Sequence, residues 1–151
     1  MKIEEEIKQP KFRDAYQKAV INLVYTANWL QNKNQEFFKN YGITAHQFNI
    51  LRILKGQHPN SISATEIKTR MLDRNSDVSR MLDRLIAKKL ILKRTCPNDK
   101  RAFDVLITDE GLEILKSLDK HLPDSDRVLN LSEEEAIQLS DLLDKCREPG
   151  A

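Results

Sequence analysis

The chain has 151 residues, 32% charged and 40% hydrophobic, with 25 Lys and Arg against 23 Asp and Glu. That size suits one domain with a sizeable core, and the net charge of +2 does not by itself point to nucleic acid. No apolar run approaches the roughly 20 residues of a membrane helix, residues 1–9 lack the apolar core of a signal peptide, and Cys96 and Cys146 form no metal or redox spacing. The expectation is a reduced, cytoplasmic protein with no metal and no cofactor.

Residues 1–10 are charged and end at Pro10, which predicts a frayed tail or a short helical lead. From 11 to about 40 there is no Gly or Pro, and Tyr16, Leu23, Leu30 and Phe37 recur every seven residues, flanked by Phe12, Ala19, Val20 and Ala27. This predicts one long helix with a single apolar stripe, about 45 Å at 1.5 Å per residue. A helix of that length exceeds what a small domain needs, so its simplest partner is a second subunit. Tyr41-Gly42 closes it. Thr44-x-x-Gln47 is a capping box that opens the next helix, with Phe48, Leu51 and Leu54 inward.

After a break at 56–60, Ser63-x-x-Glu66 opens a short helix to about Met71, with a small strand expected near 61–63. A turn at 73–75 then leads to a helix over 76–88. Its Val78, Met81, Leu82 and Leu85 share one face at i, i+3, i+4, i+7 spacing, and Ser76, Asp77, Ser79, Arg80, Asp83 and Arg84 lie opposite. Short helix, turn, and second helix with a polar face is the helix-turn-helix order. A strand follows from Leu90 to Thr95, then a loop at 96–102, then a strand at 103–107, which together make a hairpin with a basic tip. Residues 80–101 contain eight Lys and Arg against two Asp, whereas 119–148 is mostly acidic. Beyond Thr108 a helix carries Leu112, Leu115, Leu118 and Leu122 and stops at Pro123. Ser132-x-x-Glu135 begins a last helix with Ile137, Leu139, Leu142 and Leu143 as its apolar side.

Leu85, Lys88, Leu90, Ile91, Arg94, Asp99-Lys100-Arg101, Leu106, Thr108 and Gly111 together resemble the signature of the multiple antibiotic resistance regulator (MarR) family. Thr44 to Phe48 with Leu51 and Leu54 is similar to that family's second helix. The resemblance covers nearly the whole chain, and the stretch from Leu85 to Gly111 aligns without a gap. One position departs: the family has Gly before the Leu-Ile pair, and this chain has Lys89. If Lys89 ends its helix in the left-handed conformation, the side chain costs on the order of 1 kcal/mol.

The expected fold is therefore mainly α with a small β-hairpin wing. It is one domain, with a winged helix-turn-helix lobe at 43–107 between dimerisation helices at 11–40 and 109–147. The expected partner is double-stranded DNA, bound by a homodimer on a pseudo-palindromic operator. Arg80 and Arg84 are candidates for guanine edges or phosphate, with surface ion pairs to Asp77 or Asp83 as the alternative. Ser76 and Ser79 suit phosphate at a helix N-terminus, Ser76 serving equally as an N-cap, and Asp77 suits a cytosine amine or an orienting role for an arginine. Arg101 at the wing tip suits a narrow minor groove. The family resemblance implies that Asp99 fixes its guanidinium, and Lys100, Lys93 and Arg94 add phosphate attraction.

The resemblance further implies a small aromatic or phenolic effector in a pocket between the DNA-reading lobe and the dimer helices. Tyr16, Trp29 and Phe48 (with Phe37 and Phe38) are candidates to line it, and core packing is the alternative. His46, His58 and His121 are scattered, and neither a phosphate loop nor a nucleophile motif occurs, so no enzyme activity is expected. Two other readings remain: a winged-helix module that binds protein, and a thiol redox sensor built on Cys96 beside Lys93, Arg94 and Lys100.

Overall fold

The computed structural model describes residues 1–96, 99–122 and 127–150, without the side chains of 96 and 99–102. The chain divides into two compact units, Met1–Leu115 and Lys116–Ala151.

The first unit opens with α1 (Ile3–Glu6), so the N-terminal segment takes the helical alternative. It is tied to α2 (Ala15–Lys39) by the Lys18–Glu4 ion pair and by the Tyr25 hydroxyl donating to Glu6 at 2.7 Å, with Ile3 buried beneath. α2 is shorter than the 11–40 expected, because Asp14 caps it by accepting the Gln17 N–H at 2.8 Å. Gln17 in turn accepts the Arg13 N–H at 2.7 Å, which holds residue 13 outside the helix. The expected capping boxes of Thr44 and Gln47 and of Ser132 and Glu135 form, and Ser63 caps its own helix.

α3 (Ala45–Gln57), α4 (Ala64–Arg70) and α5 (Val78–Ala87) pack around a three-stranded antiparallel sheet. The sheet comprises β1 (Ile62–Ser63), β2 (Ile91–Cys96) and β3 (Asp99–Ile107) in the order β1-β3-β2, with Ile62 opposite Val105 and Ile91 opposite Ile107. The core is Ile50, Leu51 and Leu54 of α3, Ile67 of α4, Leu82 and Leu85 of α5, and Ile91, Val105 and Ile107 of the sheet, all essentially inaccessible. Phe48 stacks on Phe38 with ring centroids 4.7 Å apart, anchoring the end of α2 to this core.

The hairpin departs from expectation. A loop over 96–102 is predicted from its Pro, Asn, Asp and Lys content, yet β2 runs to Cys96 and β3 begins at Asp99, with a register irregularity at Thr95/Cys96. A two-stranded ladder is held by backbone pairing, which side-chain composition opposes only weakly.

The junction after α5 is built as a clasp. The Leu90 N–H donates to the Leu85 carbonyl at 3.1 Å and the Lys89 N–H to that of Ile86 at 2.9 Å, the paired bonds of a Schellman motif. Lys89 sits at φ 61°, so of the two possibilities the left-handed helix end is the one adopted. Its side chain is exposed, so nothing is lost by removing it. Lys89→Gly is therefore expected to raise unfolding stability by about 1 kcal/mol, read as a higher urea midpoint at unchanged slope.

α6 (Asp109–Asp119) follows, and its first turn is capped by Thr108, whose hydroxyl oxygen accepts the Gly111 N–H at 3.1 Å. That hydroxyl donates to the Lys89 carbonyl at 2.8 Å, and the Thr108 N–H donates to Leu90 O at 3.1 Å. α6 ends earlier than the Leu122 expected. In the second unit a 3-10 turn (Arg127–Leu129) precedes α7 (Glu133–Cys146), on which Ile137, Leu139 and Leu142 are exposed.

Candidate nucleic-acid interface

α5 is strongly two-sided. Val78, Leu82 and Leu85 are buried against α3, α4 and β2, while Ser79, Arg80, Asp83 and Arg84 are exposed. Its start lies two residues later than expected, and the capping role falls to a different residue. Asp77 accepts the Arg80 N–H at 3.2 Å, whereas the Ser76 hydroxyl donates to the Asp73 carbonyl at 2.7 Å. A carboxylate at this N-cap is favoured by the helix dipole as well as by the bond, so Asp77 displaces Ser76 from the role considered for it. Ser76 closes the preceding turn instead.

Arg80 and Arg84 make no ion pair with Asp77, Asp83 or any other described residue. Two guanidinium groups on successive turns of one exposed face, above a rigid apolar base, can donate bidentately to a base edge or a phosphate. Arg94 is exposed on β2 with Asp104 as its cross-strand neighbour, and the Lys93 ammonium lies 4.0 Å from the Phe103 ring centroid. Lys93 is thus held against the hairpin by its own cation–π contact. The side chains of Asp99, Lys100 and Arg101, and that of Cys96, lie outside those described.

Three contacts that sequence patterns do not reveal fix this surface. The Lys88 ammonium, at the C-cap of α5, donates to the Gly42 carbonyl and lies 3.4 Å from Gln47 Oε1. Gln47 is 3% exposed and also accepts the Thr44 N–H, so the end of α5 is tied to the corner joining α2 and α3. His46 Nε2 lies 3.0 Å from Asp73 Oδ2, bridging α3 to the turn before α5. Asn49 accepts the Leu72 N–H at 2.9 Å beside it. The His46 contact, and next the Asn75 N–H, hold the Asp73 carboxyl below its ordinary value. The stabilisation from Asp73 is present above its unfolded value and fades as pH falls through the lower folded one. Separations of 23 to 46 residues join these pairs, so no local spacing marks them.

The three candidate pocket residues do not meet within one chain. Tyr16 is 83% exposed near the start of α2, Phe48 packs on Phe38 at its far end, and Trp29 borders a cleft made with α1. Tyr16 and Trp29 lie thirteen residues apart on one helix, about 20 Å along its axis. Among the described residues no group of three or more His, Cys, Asp or Glu is placed to hold a metal. Among the same residues, no helix is long and apolar enough to cross a membrane.

A helix-turn-helix whose second helix keeps an exposed polar face, with an antiparallel hairpin beside it, defines a winged-helix protein. The model of the MarR family matches residues 43–103. The transcriptional regulator PecS of Dickeya dadantii is 29% identical over 109 residues, covering 70% of this chain and 66% of PecS. The transcriptional repressor MdtR of Bacillus subtilis is 37% identical over 82 residues, covering 54% of this chain and 52% of MdtR. The aligned region thus spans about half to two thirds of these relatives. A solved structure of an E. coli MarR variant complexed with operator DNA superposes with a TM-score of 0.74 at 26% identity, covering 89% of this chain and 99% of that one. Over residues 43–103 the chain matches the MarR family, and its fold is that of solved MarR regulators.

Proposed function

We propose that this protein is a sequence-specific DNA-binding transcriptional regulator, a cytoplasmic repressor that acts as a homodimer on a pseudo-palindromic operator and is released by a small aromatic ligand. The observation that carries the reading is the exposed face of α5, where Arg80 and Arg84 have no partner among the described residues while the opposite face is locked into the core. Among those residues, no packing contact uses the two charges. The operator complex of the E. coli relative and the repressor role in the name of MdtR support the same assignment.

Two further observations support a dimer. On α2, Tyr16, Val20, Leu23 and Val24 form an exposed apolar stripe, 83%, 61%, 47% and 56% accessible. On α7, Ile137 and Leu142 are 56% and 61% accessible. Apolar surface arranged at helical spacing on a helix of 25 residues is covered at least cost by another copy of the same surface. In that dimer two α5 helices would enter successive major grooves about 34–36 Å apart, with 43–107 as the reading lobe and 11–40 and 109–147 as the dimer arms.

The test is fluorescence anisotropy of the purified protein on the intergenic DNA upstream of its own gene, across a salt series and against scrambled duplex. Binding that outcompetes the scrambled duplex and weakens steeply with salt is the expected result. Equal, weak binding to both duplexes would overturn the reading for that operator. It would favour the winged-helix protein-binding alternative if a salt-insensitive protein partner were then recovered.

A further inference from the structure

The exposed face of α5 carries two parallel rows of side chains of opposite character. Residues four apart on a helix lie nearly above one another, offset by about 40°. Arg80, Arg84 and Lys88 form a row of long cationic side chains. Ser79, Asp83 and Ala87 form the adjacent row, all three exposed and all three short. A helix lying in a major groove about 12 Å wide brings a short-sided row closer to the base edges than a long-sided one. The long row then reaches outward, and Lys88 at its end is already tied back to the Gly42 carbonyl.

Asp83 stands in the middle of the short row, and the fold makes no use of its charge. It has no ion pair or hydrogen bond among the described residues, although Arg80 lies three positions before it and Arg84 directly after. It also lies past the first turn of α5, whose N-cap is Asp77, so the helix dipole does not favour it. A carboxylate on a face otherwise suited to phosphates is repelled by them, which weakens binding to every DNA sequence alike. That repulsion is offset only where a base edge donates to the carboxylate. In the major groove the donors are the N4 amine of cytosine and the N6 amine of adenine. Adenine sets its N7 acceptor beside the amine, and two facing acceptors repel, so cytosine is the base that a carboxylate selects.

We propose that Asp83 is a specificity-determining residue, its carboxylate accepting a hydrogen bond from the N4 amine of one cytosine in each half-site. This rests on the DNA-binding reading above and names a base that the interface selects. The carboxylate stabilises the complex at that cytosine and weakens binding to sequences that lack it.

The test is enrichment of a randomised duplex pool by the full chain, followed by anisotropy on the enriched sequence and its single base-pair variants. The parent should require a C·G pair at one position in each half-site, any replacement there weakening binding at least tenfold. Asp83→Ala should reduce that preference to less than threefold and should bind scrambled duplex at least threefold more tightly. Asp83→Asn should move the preference at the same position from cytosine to adenine, because a carboxamide accepts from N6 and donates to N7. Circular dichroism establishes that each variant is folded. Unchanged preferences in both folded variants overturn the proposal and leave the DNA-binding reading standing. The same follows if Asp83→Ala weakens binding to enriched and scrambled duplex alike. A parent that enriches no sequence overturns the DNA-binding reading, and this assignment with it.

Discussion

Replacing Gly111 with alanine is expected to destabilise the protein by about 3 kcal/mol, the upper part of the range for overpacking a filled site. A Cβ at that position would lie 2.4 Å from the Leu90 carbonyl oxygen and 2.7 Å from Ile107 Cγ1. The first obstacle is backbone and cannot rotate aside. The same Leu90 oxygen accepts the Thr108 N–H, so displacing it loosens the clasp that joins the end of α5 to the start of α6. Gly56 in α3 is the matched control: a Cβ there meets nothing within 4 Å, so Gly56→Ala should gain the helix-propensity difference of up to about 1 kcal/mol. Urea unfolding of both variants checks the pair. A Gly111→Ala protein as stable as its parent would mean that the close approach of α6 to Leu90 is relaxed in solution.

The same clasp marks where sequence patterns stop carrying information about the fold. Leu90, Thr108 and Gly111 are recognisable as parts of one spaced signature, and Lys89 stands out as the place where a glycine is missing. The physical cause linking them, a carbonyl too near for any side chain, is tertiary and leaves no local trace. Elements whose signals are local are legible in the residues themselves. The helix-turn-helix follows from periodicity, α3 and α7 from their capping boxes, and the small first strand from its position. Misplaced boundaries arise where neighbours compete. At the start of α5 two adjacent residues, Ser76 and Asp77, can both cap. Only the packing of the preceding turn onto α3, through His46 and Asn49, decides that Asp77 does so. The hairpin is longer than its composition implies, because loop-forming side chains say little about a ribbon whose backbone groups pair with each other.

The Lys88 contact gives the exposed face of α5 a mechanical connection that the helix alone would lack. α5 ends on the corner between α2 and α3, and the Gln47 that receives Lys88 is buried and already engaged with Thr44. A displacement of α2 relative to α3 would therefore be felt at the end of α5 without passing through the sheet. On the proposed function, a ligand acts only through a difference in affinity between two arrangements of these helices. This corner is where the two arrangements would diverge.

Arg80→Ala and Arg101→Ala are expected each to weaken operator binding at least tenfold, and for reasons that separate in the data. Arg80 stands on the exposed face of α5 with no partner among the described residues, so its loss should leave the unfolding midpoint unchanged. If it reads a guanine edge, the variant loses about 1–3 kcal/mol against the correct base and comparatively little on scrambled DNA, so discrimination falls. Arg101 belongs to β3 of the hairpin, and on the proposed function it enters the minor groove. Its loss should reduce the slope of log affinity against log salt by about one, which signals one phosphate-compensating charge fewer. Anisotropy of both variants on operator and scrambled duplex, at three or more salt concentrations, yields the two quantities together. Unchanged discrimination in a folded Arg80→Ala protein would move α5 from base reading to phosphate contact. An unchanged salt slope and affinity in Arg101→Ala would remove the wing from the interface, leaving recognition to α5 alone.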